Sequence, residues 1–196
     1  MLLIRLLLKL RGILARSWWL SRCLYRLHRL PLVGPPEEEV WYFAYGANMH
    51  DSVFRGWRGM RPLDWRPGRV RGFRLRFNLD GRPRGKAAPA NLFADSQAEV
   101  WGVLYRLTRR DLVRLDATEG IPWSWYRPLW LDAEDINGRP CRTMTYIAYG
   151  KEVDSRPSLR YITLLRDGAR SPRTLHPLFG ARRSRAISGA DDRRRN

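Results

Sequence analysis

Val40-Trp41-Tyr42-Phe43-Ala44-Tyr45-Gly46-Ala47-Asn48 is the stretch on which the reading of this chain turns. Val40, Tyr42 and Ala44 alternate with Trp41, Phe43 and Tyr45, the period-two pattern of a strand, and Gly46 stops it. Residues on both faces are apolar, so the strand is expected inside a core. At its end Gly46 lets successive main-chain N–H groups point outward, a nest suited to an oxyanion or a carboxylate. The Asn48 side chain is within reach of the same place. A buried strand ending in a glycine bend is the plainer reading of the same residues.

Downstream, Leu75, Phe77 and Leu79 alternate with Arg74, Arg76 and Asn78 in an expected second strand. A third is expected over Ala90 to Ala94 and a fourth over Val100 to Leu107. Then comes the best-marked helix. Thr108 is its N-cap, Asp111 stands at the third helical position, Leu107 staples to Leu112, and Leu112 and Leu115 face the core. Gly120 supplies a C-terminal glycine cap. Residues 125 to 131 and 141 to 149 read as a hairpin joined through Asn137-Gly138. A last helix starts after the cap Ser158, turns Tyr161, Ile162 and Leu165 inward, and ends at Gly168. Many strands and few helices predict an α+β fold with a mixed, mainly antiparallel sheet.

Composition divides the chain into three parts. The net charge is +18, of which residues 1–36 contribute +7 and residues 182–196 contribute +4, leaving +7 for residues 37–181. We therefore expect a single domain over 37–181 between a basic N-terminal extension and a basic, disordered tail. In the extension, Arg5, Lys9, Arg16, Arg22, Arg26 and Arg29 fall on one helical arc, with leucines mostly opposite. Charges recur too often for a membrane-crossing helix, which needs roughly 20 mainly apolar residues. The basic amphipathic pattern, with Trp18 and Trp19, suits peripheral contact with an anionic membrane surface. It equally suits packing on the domain, a partner protein, an Arg-rich targeting segment, or translation from a misplaced start codon. Cys23 and Cys141 form no CxxC or Cys/His pair, and His28, His50 and His176 are far apart, so neither a disulfide framework nor a metal site is expected.

Glu119 is the candidate acid or base. At a helix C-terminus the macrodipole disfavours a carboxylate, and burial against Ile121-Pro122-Trp123 would do so further. Both effects predict a pKa raised toward the range useful for proton transfer near neutrality. Asp116, at i−3, shares that side and competes for the role.

Taken together, these blocks resemble the γ-glutamylcyclotransferase family. Tyr42-Phe43-Ala44-Tyr45-Gly46-Ala47-Asn48 is similar to its Tyr-Phe-Ala-Tyr-Gly-Ser-Asn strand and loop. Glu99-Val100-Trp101-Gly102-Val103-Leu104-Tyr105 and Leu115-Asp116-Ala117-Thr118-Glu119-Gly120 match the next two blocks in order. Tyr126 and Pro157-Ser158-Leu159-Arg160-Tyr161 complete the resemblance, which spans residues 40 to about 180. Ala47 replaces the family's usual serine. The resemblance implies a small curled barrel and a cytoplasmic enzyme that needs no cofactor. It further implies cyclisation of a γ-glutamyl amide to 5-oxoproline, with Glu119 as general acid/base. Tyr45, Gly46, Ala47, Asn48, Tyr126 and Tyr161 would bind the substrate.

A different class of function is suggested by Arg55, Arg58, Arg61, Arg66, Arg69, Arg71, Arg74 and Arg76, interleaved with Trp57, Trp65 and Phe73. Such a pattern permits phosphate contacts and base stacking. Arginine abundance throughout the chain is the simpler account, and nucleic acid is not the expected partner. A non-catalytic binding relative is the other alternative, against which the presence of Glu119 counts. Cys141 is expected to be a buried structural thiol.

Overall fold

A computed structural model of the chain describes residues 35–81, 88–121 and 125–170. The N-terminal amphipathic helix, the basic tail, Cys23, His28, His176 and Pro122-Trp123 lie outside these residues. Strands β1 (Glu39–Ala44), β2 (Asp64–Arg76), β3 (Asn91–Thr108), β4 (Arg127–Asp135) and β5 (Pro140–Ile147) close into a barrel in the order β1-β3-β2-β4-β5. Every pairing is antiparallel except that of β1 with β5, where Tyr42 faces Met144. Helix α1 (Arg109–Glu119) follows β3, and α2 (Leu159–Arg170) follows β5. The α+β class and the curled, mainly antiparallel sheet are as the sequence predicts. No helix among the described residues is long and apolar enough to cross a membrane.

Both faces of β1 are buried, in two different layers. Phe43 joins Val70, Leu104, Leu131 and Ala133 in a cluster drawn almost wholly from strands. Val40, Tyr42 and Ala44 pack instead with Leu112 and Leu115 of α1 and Leu165 of α2. Each fully buried large side chain contributes about 1.5–3 kcal/mol through removal from water. Beneath the helices the Phe54 and Tyr105 rings stack at 4.2 Å. β1 can lie so close to β3 because position 102 is glycine: a Cβ there would stand 2.2 Å from the Ala44 carbonyl oxygen.

The sequence expectation for β2 needs correction. The strand is 13 residues long, begins at Asp64, and ends at Arg76, so Phe77 and Leu79 lie beyond it. There the main chain pairs elsewhere, with Ser155 N–H donating to the Phe77 carbonyl and Lys151 N–H to that of Asn78. The third and fourth expected strands are one continuous β3. Its partner β2 carries an arginine ladder whose charges are matched by nearby acids. Arg66 pairs with Asp135, Arg69 with Glu134 and Glu99, Arg74 with Asp95, and Arg76 with Asp154. Arg66 also lies over Trp41, and Arg69 over Trp101. These arginines thus lie against acids and rings of the barrel's other strands.

α1 has the caps expected of it: Asp111 N–H donates to Thr108 Oγ1, and Gly120 is left-handed at φ 75°. The β4–β5 hairpin turns through Asn137-Gly138, closed by a hydrogen bond from Gly138 N–H to the Asp135 carbonyl. Two details of α2 depart from expectation. Ile162 is 37% exposed rather than turned inward. Gly168 is inside the helix, where its missing side chain lets α2 approach Met49 just after the Gly46 loop. Cys141 is buried and free, and burial pushes its thiol pKa up.

Candidate active site

The Tyr45–Asn48 loop leaves the end of β1 and enters a single 3-10 turn, Ala47–Met49, that α2 holds against the barrel. Asn48 is thereby buried with its side chain directed at Glu119, the last residue of α1. Its amide nitrogen donates to Glu119 Oε1 at 3.0 Å and to the Tyr42 hydroxyl at 2.7 Å. Among the described residues, Asn48 Oδ1 is buried without a hydrogen-bond partner.

Arg58, which the sequence reading assigned to phosphate contacts or to a general abundance of arginine, stands at the candidate site. Its Nη2 stands 2.9 Å from Glu119 Oε1, and its Nη1 donates to Thr118 Oγ1. Glu119 is therefore not an isolated carboxylate against an apolar wall, as the sequence suggested. Its burial is compensated by a guanidinium and an amide. Both donors converge on Oε1.

Glu119 borders a cavity of about 120 Å³ together with Tyr45, Gly46, Ala47, Asn48, Tyr126 and Tyr161. The fold thus brings every candidate residue of the sequence reading to one place. It adds Tyr42, Arg58, Tyr146, Pro89 and Ala90, none of which the motifs singled out for a role. Tyr45 is part of the wall, its hydroxyl donating to the Tyr146 carbonyl at 2.6 Å. The Tyr161 hydroxyl accepts the Ala90 N–H at 2.9 Å and also lies on the Ala47 N–H. Position 47 therefore engages its surroundings through its main chain, which an alanine supplies as well as a serine. Burial raises the pKa values of Tyr42, Tyr45, Tyr146 and Tyr161, so their hydroxyls stay neutral and serve as hydrogen-bonding groups.

Asp116, the competing acid, is turned to the Tyr146 hydroxyl, which donates to it. Burial pushes its pKa up to about 7, opposed by that hydrogen bond and aided by the nearby Glu119 charge. It supports the cavity wall through Tyr146 while Glu119 faces the cavity.

Several known proteins are similar to this chain in sequence or fold. Residues 99–173 match the model of the AIG2-like family. The chain is 27% identical over 145 residues to the human protein named gamma-glutamylcyclotransferase, covering 71% of this chain and 74% of that one. It is 27% identical over 169 residues to an Aspergillus oryzae protein named gamma-glutamyl cyclotransferase aclK, covering 72% of this chain and 60% of the relative. Among solved structures, YkqA from Bacillus subtilis superimposes with TM-score 0.63 at 28% identity, over 77% of this chain and 55% of that one. A structure described as gamma-glutamyl cyclotransferase shares the fold with TM-score 0.61 at 23% identity, over 76% and 88% of the two chains. The motif blocks, the closed barrel and these relatives agree in one likeness, to the AIG2-like and γ-glutamylcyclotransferase proteins.

Proposed function

We propose that the chain is a γ-glutamylcyclotransferase-type enzyme that converts a γ-glutamyl amide to 5-oxoproline and a free amine. The observation that carries this reading is the Glu119 carboxylate, with Oε1 held by Arg58 and Asn48, at a cavity lined by the Gly46 loop. Relatives bearing the name gamma-glutamylcyclotransferase support it.

In the proposed reaction the substrate's α-nitrogen attacks its own side-chain carbonyl carbon. A ring C–N bond forms, and the original amide C–N bond breaks. Nucleophile and electrophile belong to one molecule, so the site's tasks are to fold the substrate and to move protons. Glu119 takes a proton from the α-ammonium before attack and gives it to the departing nitrogen, then carries a second proton from the ring nitrogen to the leaving amine. One hydrogen stays on the ring nitrogen, and the amine leaves protonated; no electron carrier or activated group enters the balance. The unpartnered Asn48 Oδ1 accepts from the α-ammonium before attack. Main-chain N–H groups of residues 46 to 48, with that of Ala47 shared with the Tyr161 hydroxyl, hold the α-carboxylate or the developing oxyanion. Tyr45, Tyr126 and Tyr161 shape the pocket.

The test is mass spectrometry of the purified full chain with a panel of γ-glutamyl amides and dipeptides. At least one should yield 5-oxoproline, and Glu119→Gln should abolish the conversion. The carboxamide of that variant keeps an acceptor oxygen for Arg58 and Asn48, so its thermal unfolding should still be cooperative. A fully active Glu119→Gln protein would overturn the proton-carrier role.

A further inference from the structure

Resting on the cyclotransferase reading, we infer that a second cavity beside Glu119 is the subsite for the leaving amine, and that it selects an uncharged aromatic group. This outer cavity measures about 570 Å³ against about 120 Å³ for the inner one, and it shares Arg58, Pro89, Glu119 and Tyr126 with it. The inner space suits the five-carbon glutamyl unit. The outer one falls in the range that takes a drug-sized group.

Its walls favour rings. Trp57, Trp125, Tyr126 and Tyr149 border it. Trp57 is 42% and Tyr149 87% exposed, apolar area that a ligand ring would cover. Trp125 is fixed next to the catalytic carboxylate, because its N–H donates to the Gly120 carbonyl and its ring occupies the space where a Cβ on Gly120 would sit. The charges at the rim argue against ionic leaving groups. Asp80 is paired with Lys151, and Glu119 with Arg58. A polyamine would find each of these acids already matched by a cation, and a peptide carboxylate would find each of these cations matched by an acid.

The experiment uses the full chain and two amides, γ-glutamylbenzylamide and γ-glutamylmethylamide, with γ-glutamylputrescine as the cationic comparison; the binding arm that follows is independent of leaving-group basicity. In parallel, glutaric acid monobenzylamide and monomethylamide, which lack the attacking amine and cannot cyclise, are titrated by calorimetry. The benzylamide should be preferred about tenfold in kcat/KM, and its unreactive analogue about tenfold in Kd. Both ratios should fall toward one in Trp57→Ala and in Tyr149→Ala. Equal Kd values, a ratio unchanged in both variants, or preference for the putrescine amide overturns the subsite. Cyclisation without ring preference leaves the reaction standing and removes the subsite. Ring-selective binding without 5-oxoproline does the reverse.

Discussion

Replacing Arg58 with Met tests whether Glu119 is held as a buried, charge-compensated carboxylate. Methionine keeps part of the apolar stem and removes the guanidinium. The two charged groups are 2.9 Å apart, with side chains 11% and 10% exposed. At that spacing the gross attraction is about 6 kcal/mol for an effective dielectric of about 20, while breaking a buried pair from one side costs about 3–5 kcal/mol. Asn48 still donates to Oε1, so we expect a loss near the lower figure, about 3 kcal/mol at pH 7.5. For a domain of this size that is a fall in Tm of about 6–12 °C. Thermal denaturation at pH 7.5, followed by circular dichroism, measures the loss. Arg58→Met with Glu119→Gln should recover most of it, with a coupling of about 2 kcal/mol in a double-mutant cycle. An unchanged Tm, or additive single effects, would refute the buried-pair reasoning.

Asp116 offers a pH signature. Its folded-state pKa of about 7 lies above the ordinary 3.8, so its contribution is fully present below pH 3.8 and is lost as pH rises to about 7. Asp116→Asn keeps an acceptor for the Tyr146 hydroxyl; its Tm relative to the parent should rise between pH 4 and pH 7 and then level off. A pH-independent difference would place the raised pKa elsewhere. Gly102→Ala drives a Cβ to 2.2 Å from the Ala44 carbonyl oxygen, so the β1–β3 pair must shift. The expected loss is about 2–3 kcal/mol by urea denaturation, and an unchanged midpoint would show that the strands are not held at that spacing.

Where local chemistry sets the structure, the sequence was legible. Alternation from Val40 to Tyr45 predicts β1, and Thr108, Asp111 and Gly120 bracket α1 through bonds that span a few residues. The motif order likewise points to the Gly46 loop, Asn48, Tyr126, Tyr161 and Glu119, which line one cavity. β2 was misread because an arginine at almost every second position masks a strand's alternation. Only its partners on β3 and β4 supply the acids and rings that let those arginines lie on a sheet. Gly168 looked like a stop signal, yet what calls for it is the approach of Met49.

Sequence by itself thus determined the barrel class, the loop and the identity of the carboxylate. The state of that carboxylate was decided by tertiary structure. Glu119 looked exposed to its helix dipole and to apolar neighbours, because those are what adjacent residues reveal. Its guanidinium partner is 61 positions earlier in the chain, reading from Arg58 to Glu119, in a segment with no motif. Coulomb attraction acts through space, so no local pattern encodes such a pair; closure of the barrel brings its two halves together.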